Sequence, residues 1–207
     1  MALVKYNNNS ISGITSAPNV GSGNITLIKT ITASSDSTIS FVHGSSDVVL
    51  DNTYPIYLFK LINIHPGTDN VHLQVNFSTN SGSNYNVTKT STSFAAYHQE
   101  DAGDAALTYS TSRDLAQSTG VQRLVDNIGA ADDECTSGEL FLFNPYSNEF
   151  VKNFLAEFSQ TNAGEQAWRH NVSGYCNTTS AVDAVQFTMS SGNIDAGTIK
   201  LYGIKDS

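Results

Sequence analysis

The segment 71–77 alternates strictly between apolar and polar residues, and this period constrains the fold more than any other feature of the sequence. Its odd positions are apolar and its even positions are polar. Successive side chains of a β-strand point to opposite faces of a sheet, so the segment predicts a strand with one buried face. The residues expected to face the core are Val71, Leu73, Val75 and Phe77.

Strand signals recur from residue 25 to the end of the chain, separated by short polar turns. Residues 54–64 and 140–143 are nearly continuous apolar runs, as expected for strands covered on both faces. Phe150, Phe154 and Phe158 fit either a helix or one strand face, and the neighbouring strands favour a strand. About ten strands at this spacing predict an all-β fold, an antiparallel β-sandwich of jelly-roll type.

Composition agrees with many short strands, because Ser, Thr and Asn make up 66 of the 207 residues. Thr favours strands, whereas Ser and Asn favour turns. We expect one sandwich domain over residues 25–207, with a long irregular surface excursion over 99–137. Within that excursion, residues 113–118 and 121–126 are each expected to form a short helical turn.

Residues 1–24 differ from the remainder, being rich in Asn, Ser and Gly with isolated apolar residues. They read either as a frayed end or as an N-terminal arm that docks on a partner. Under the second reading, the docking residues are Leu3, Val4, Tyr6, Ile11 and Ile14.

The charge of the chain argues against a nucleic-acid partner. The net charge is −9, and the ten Lys and Arg residues are scattered. A protein that binds duplex DNA needs a basic face that displaces the counterions of the phosphates. No apolar run has the length of a membrane-spanning helix, so we expect no membrane partner, and the first ten residues do not resemble a secretory signal.

Motifs for catalysis and metal binding are weak, and we predict a protein that is not an enzyme and binds no cofactor or metal. Cys135 and Cys176 are expected to be unpaired thiols, and His170, six residues before Cys176, is expected at the rim of the sandwich. The acidic clusters at 98–104 and 132–134 offer oxygen ligands for calcium but lack the spacing of a known loop.

Four aromatic residues lie in or near polar loops, where an aromatic ring can stack on a sugar. They support glycan binding as an alternative function, although each one alone more readily caps the core. The four candidates are Tyr97, Tyr109, Tyr146 and Trp168.

Several segments resemble a recurrent family of marine tailed phages, including cyanophage-like and pelagiphage-like viruses. One is SSGNIDAGTIKLYGI at 190–204, which follows NTTSAVDAVQF at 177–187, and its closing GTIKLYGI at 197–204 is the most specific part of the resemblance. The others are TISFV at 38–42, YLFKLINIHP at 57–66, GSNYNVTKT at 82–90 and SGELFLFNP at 137–145. The resemblance covers most of residues 25–204 and is weakest at 1–24 and 99–137.

The resemblance implies a virion structural protein and no catalytic residues. We therefore expect a capsid decoration (cement) protein or a fibre or appendage subunit, assembled in the cytoplasm of the bacterial host. Its partners would be other virion proteins and further copies of itself, with a trimer expected by analogy with phage decoration and fibre proteins. The alternative is a carbohydrate-binding adhesin at a fibre tip, whose partner is a host surface glycan.

Overall fold

The computed structural model describes residues 24–205, and every regular element in that range is a β-strand. The all-β class predicted from the sequence is confirmed, with twelve strands where about ten were expected. They are β1 (Ile25–Thr32), β2 (Thr38–Val42), β3 (Ile56–Pro66), β4 (Val71–Ser78), β5 (Lys89–Gln99), β6 (Ala105–Tyr109), β7 (Gln122–Ile128), β8 (Thr136–Phe143), β9 (Lys152–Thr161), β10 (Gln166–Cys176), β11 (Ala184–Met189) and β12 (Ile194–Ile204).

The strands form two antiparallel sheets with jelly-roll connectivity. The larger sheet has the order β1-β12-β3-β8-β9-β10-β5-β6, and the smaller sheet has the order β2-β11-β4-β7. Apart from β5, β6, β9 and β10, the strands pair from the ends of the chain inward. Thus β1 pairs with β12, β2 with β11, β3 with β8 and β4 with β7. This nesting, repeated inward to β4 and β7, is the double Greek key of a jelly roll, and it confirms the predicted sandwich.

Two inserted hairpins widen the larger sheet. The hairpin of β5 and β6 lies between β4 and β7 in sequence, and the hairpin of β9 and β10 lies between β8 and β11. In the sheet, β9 pairs with β8, β10 with β9 and β5 with β10. We call these four strands the extension. The smaller sheet contacts the extension through β7, which packs against β9 and β10.

Apolar side chains from the two inner faces form one core. Phe41 of β2, Phe59 of β3 and Phe187 of β11 pack edge to face, with ring centroids 5.3 to 6.4 Å apart, and all three are fully buried. Edge-to-face pairs add to the stabilisation that burial provides. The four side chains of β4 that alternation predicts to face inward are each buried, so that prediction is confirmed.

Residues 122–128 form β7, so the helical turn predicted over 121–126 is wrong. Leu124 and Val125 are consecutive and both fully buried. The register between β4 and β7 shifts twice along this strand, and Asn127 has a φ of 53°. Such a bulge sets two residues of one strand against one of its partner, so the buried positions lose the alternation that identifies a strand.

The irregular excursion is shorter than the sequence predicts, because β6 and β7 both lie inside residues 99–137. Residues 110–121 remain irregular. The helical turn predicted over 113–118 is also wrong, since this segment follows the edge of β5 and exchanges backbone hydrogen bonds with it. Those bonds satisfy backbone groups that a helix would otherwise pair internally.

A row of three buried polar side chains crosses the inner face of the extension. Lys152 of β9, Cys176 of β10 and Lys89 of β5 are direct cross-strand neighbours, and each is fully buried. Each ammonium group donates to backbone carbonyl oxygens, at 2.7 Å for Lys89 and 2.9 Å for Lys152. Burial lowers the pKa of Lys89 to about 8 and raises the pKa of the Cys176 thiol to about 12. Both Cys176 and Cys135 are unpaired, as predicted.

Cys176 should react with Ellman's reagent only as fast as the protein unfolds, because its side chain is buried and the reactive species is the thiolate. The measurement is the labelling rate of Cys135→Ser protein at pH 8, with and without denaturant. Cys176→Ser is the matched control, since it leaves the half-buried Cys135 as the single thiol. Labelling of the folded Cys135→Ser protein within seconds would contradict the prediction.

Candidate functional site

The inner face of the extension is closed by residues 110–121, which we call the closing segment. Ser110, Leu115 and Ser118 share backbone hydrogen bonds with β5 along the edge that β6 leaves free. The segment then crosses to β7 in the smaller sheet. Arg113 lies inside this segment, and its side chain points between the two sheets, where it is buried.

Arg113 connects the two sheets through charged and polar contacts. Its Nε lies 2.7 Å from Oδ2 of Asp126 on β7, an ionic contact rather than an aligned hydrogen bond. One Nη lies 2.6 Å from Nδ1 of His170 on β10. Asp126 also lies 3.2 Å from Nδ1 of His72 on β4. Pairing with a carboxylate offsets the large cost of burying a guanidinium group.

His170 is fully buried in this cluster, so its expected place at the rim of the sandwich is wrong. Because a guanidinium group can only donate, the Nδ1 atom of His170 accepts from Arg113. Its Nε2–H then donates to Oε1 of Gln160 at 2.9 Å. Burial, aided by the nearby charge of Arg113, lowers the pKa of His170 to about 3. The imidazole is therefore neutral near pH 7 and both of its nitrogens are occupied.

Stacked rings continue from His170 toward the tip of the extension. The Trp168 ring lies 5.4 Å from the His170 ring at an interplanar angle of 8°. Tyr97, the cross-strand neighbour of Trp168 on β5, stacks against it at 4.6 Å. The guanidinium carbon of Arg113 lies 5.8 Å from the centroid of the Trp168 ring, within range of a cation–π contact. We call Tyr97, Trp168 and His170 the aromatic stack.

Polar groups border the exposed end of the aromatic stack. The Tyr97 hydroxyl donates to Oδ2 of Asp104 at 2.6 Å, and this hydrogen bond raises the pKa of Tyr97. The Trp168 indole N–H donates to Oε1 of Gln166 at 2.8 Å. Both rings are half-buried, so an aromatic surface and hydrogen-bonding groups lie side by side, as in sites that bind sugars or other polar cyclic ligands.

The structure brings together two of the four aromatic residues predicted to stack on glycans. Tyr97 and Trp168 are in contact, whereas Tyr109 lies on the opposite face of the sheet, beside Phe94. Tyr146 follows β8 at the other end of the sandwich. The docking residues predicted in the N-terminal arm, Leu3, Val4, Tyr6, Ile11 and Ile14, lie outside the described residues.

Sequence reasoning missed Arg113, Asp126 and His170 as a group. Their separation along the chain gives no local signal, and no spacing rule joins a loop arginine to histidine and aspartate on two other strands. The one available hint was the position of His170 in β10, two residues after Trp168 and therefore on the same face of the strand.

Acidic loop residues form local hydrogen bonds. Within residues 24–205 no group of three or more His, Cys, Asp or Glu side chains is arranged to hold a metal ion. Oδ1 of Asp101 accepts from the backbone N–H of Gly103, and Oε2 of Glu134 accepts from that of Ala131. These carboxylates therefore stabilise the turns in which they lie.

The outer face of the larger sheet carries exposed apolar residues. Ile25, Leu27 and Leu155 are each about half exposed, and the rings of Phe141 and Phe143 stack on this face at 6.2 Å. Contiguous apolar surface of this kind marks an interaction site more often than scattered apolar residues do. We call the two cross-strand rows the apolar band: Leu27, Tyr202, Leu58, Phe141 and Leu155 in one row, and Ile25, Ile204, Ile56 and Phe143 in the next.

Comparison of the chain with protein-family models, with curated proteins and with solved structures gave no match. In the part of the chain that the structure describes, no helix has the length and apolar character needed to cross a bilayer.

The stability of the protein should fall as the pH drops from about 6.5 toward 3, because the unfolded state then binds a proton that folded His170 excludes. The contribution of His170 to the free energy of unfolding is complete above pH 6.5, and it declines by up to about 1.4 kcal/mol per pH unit below that pH. Urea unfolding at several pH values across this range measures how steeply the free energy of unfolding changes with pH. His170→Gln should show a shallower slope than the exposed control His98→Gln, and equal slopes would contradict the prediction.

Proposed function

We propose that the chain is a non-enzymatic structural subunit of a tailed-phage virion, either a capsid decoration protein or a subunit of a fibre or another appendage. The observation that carries the proposal is a jelly-roll sandwich whose larger sheet carries the apolar band on its outer face, where Ile25, Leu27 and Leu155 are about half exposed. Jelly rolls recur in viral capsid proteins and in lectins, so the fold supports this assignment by analogy.

A mechanical role agrees with the distribution of polar and apolar groups. Burial of apolar surface between two proteins favours the free energy of association by about 25 cal/mol per Å², before the costs of association are subtracted. The apolar band is therefore suited to permanent contacts. In a particle with many identical copies, weak contacts of each copy combine into a stable layer. The net charge of −9 keeps such a protein soluble before assembly.

The resemblance of residues 190–204 to a marine phage protein supports the same proposal. The most specific part, residues 197–204, lies within β12, which is between β1 and β3 in the larger sheet and contributes Tyr202 and Ile204 to the apolar band. The most specific part of the resemblance therefore maps to the surface on which the proposal rests. Under this proposal, the partners are other virion proteins and the protein is located in the virion.

Quantitative mass spectrometry of purified phage particles tests this proposal. We expect the chain to copurify with DNA-filled particles, at hundreds of copies for a decoration protein and roughly a dozen for a fibre-tip subunit, as symmetric assembly dictates. The major capsid protein provides the internal standard. Presence of the chain in the infected-cell lysate together with its absence from the purified particles would contradict a virion role.

Glycan binding is a second candidate function, favoured by the contact between Tyr97 and Trp168 beside Asp104 and Gln166. A sugar ring placed against the exposed face of Tyr97 would present its hydroxyl groups to these side chains. Since Trp168 also packs against His170, the glycan contact falls mainly on Tyr97.

Glycan-array binding tests the second candidate. Tyr97→Ala should weaken glycan binding about tenfold, in line with an aromatic contact of 0.5–1.5 kcal/mol. Tyr146→Ala removes another exposed tyrosine, at the opposite end of the sandwich, and should bind as the wild type does. If Tyr97→Ala binds glycan as tightly as Tyr146→Ala and the wild type do, the aromatic stack is excluded as the glycan site.

A further inference from the structure

Four charged residues form a row across the outer face of the larger sheet, next to the apolar band. Lys200 of β12, Lys60 of β3, Glu139 of β8 and Glu157 of β9 are successive cross-strand neighbours, so the charges run plus, plus, minus, minus. We call them the charge row. Like charges directly opposite one another destabilise a sheet, and this row contains two such pairs.

Contacts within the chain balance the charge row only in part. Lys60 Nζ lies 3.2 Å from Oε2 of Glu139, and Glu157 pairs with Arg169. Lys200 has no ion-pair partner among residues 24–205. The side chains of Lys60, Glu139 and Glu157 are a third to a half exposed, so each can still meet charges from another molecule.

We infer that the outer face of the larger sheet binds a second copy of the chain across a twofold axis that runs along the strands between β3 and β8. Rotation about this axis reverses the order of the charge row. Lys60 then faces Glu139 of the second copy, and Lys200 faces Glu157 of the second copy. A sequence of two positive and two negative charges is therefore complementary to itself, which is the requirement for an isologous interface.

The same rotation aligns the apolar band with itself. Tyr202 of one copy meets Leu155 of the other. Leu58, which is only 5% exposed, lies at the centre of the row, across the axis from Phe141 of the second copy. In the next row, Ile56 meets Phe143 by the same operation. Two sheets packed face to face lie about 10 Å apart with their strands nearly aligned, which suits side chains of this size.

On the other side of the charge row, a groove bordered by a partly exposed side chain of β3 extends across the axis to β8 and β9. Ile62 of β3 is 40% exposed. A groove of about 560 Å³ runs over Ser137 and Ser159, whose small side chains leave room above β8 and β9. The rotation places Ile62 of each copy above Ser137 of the other, so the same axis that pairs the charges also fills the groove.

A face that is complementary to itself about a twofold axis closes at two copies. The inference therefore predicts a dimer as the unit in solution, in place of the trimer expected by analogy. Dimerisation through this face uses the apolar band on which the proposed function rests, but it requires only the chain itself and is tested in solution without other virion proteins.

Charge exchange provides a sharp test with the full-length chain, read out by sedimentation equilibrium. The wild type should have twice the chain mass. Glu139→Lys/Glu157→Lys makes the row entirely positive, and Lys60→Glu/Lys200→Glu makes it entirely negative. Each variant alone should dissociate, with Kd raised about 100-fold by like-charge contacts. An equimolar mixture of the two should form a dimer again, because opposite rows then face each other.

The control matched to Glu139→Lys/Glu157→Lys is Asp132→Lys/Asp133→Lys, which makes the same change of net charge on an exposed loop outside the face and should remain dimeric. Ile62→Asp should dissociate the dimer, whereas Leu107→Asp, on the outer face of β6 beyond the second copy, should not. Circular dichroism checks that each variant folds. If a charge-reversed variant does not fold, Glu139→Gln/Glu157→Gln takes its place, and we expect it to raise Kd about tenfold. A monomeric or trimeric wild type, dimeric charge variants, or a mixture that stays monomeric would each overturn the inference.

Discussion

Packing between the inner faces of the two sheets is the interaction on which the rest of the molecule depends. Phe41, Phe59 and Phe187 meet at its centre, and the alternating apolar residues of β4 continue it. Burial of these side chains fixes which face of each strand points inward. With the inner face committed to the core, the exposed side chains on the outer face of the larger sheet, such as Leu27 and Leu155, are available to partners.

The extension needs a second means of closure, because the smaller sheet is only four strands wide. Here the inner face carries His170, Gln160 and the lysines of the buried row in place of apolar residues alone. Arg113 enters from the closing segment and pairs with Asp126 on β7, which ties the hairpins to the jelly roll. A buried polar group is tolerated only when it is bonded, so this cluster also restricts how the closing segment can lie.

The two surfaces proposed for binding lie on opposite faces of the larger sheet. The aromatic stack occupies the inner face at the tip of the extension, and the apolar band and charge row occupy the outer face over β1, β12, β3, β8 and β9. A dimer formed through the outer face leaves the Tyr97 end of each aromatic stack accessible to a ligand. Self-association and ligand binding are therefore compatible in one particle, because they use opposite faces of the larger sheet.

The amino-acid sequence by itself determined the strand content and, where alternation is regular, the buried face of a strand, as in β4. It failed at β7, where a bulge places Leu124 and Val125 both in the core, and at His170, whose burial depends on residues from three other segments. The order of strands in each sheet, the aromatic stack and the charge row were decided only by the tertiary structure. The physical reason is that alternation is a property of one strand, whereas neighbours such as Lys60, Glu139 and Glu157 are set by long-range register.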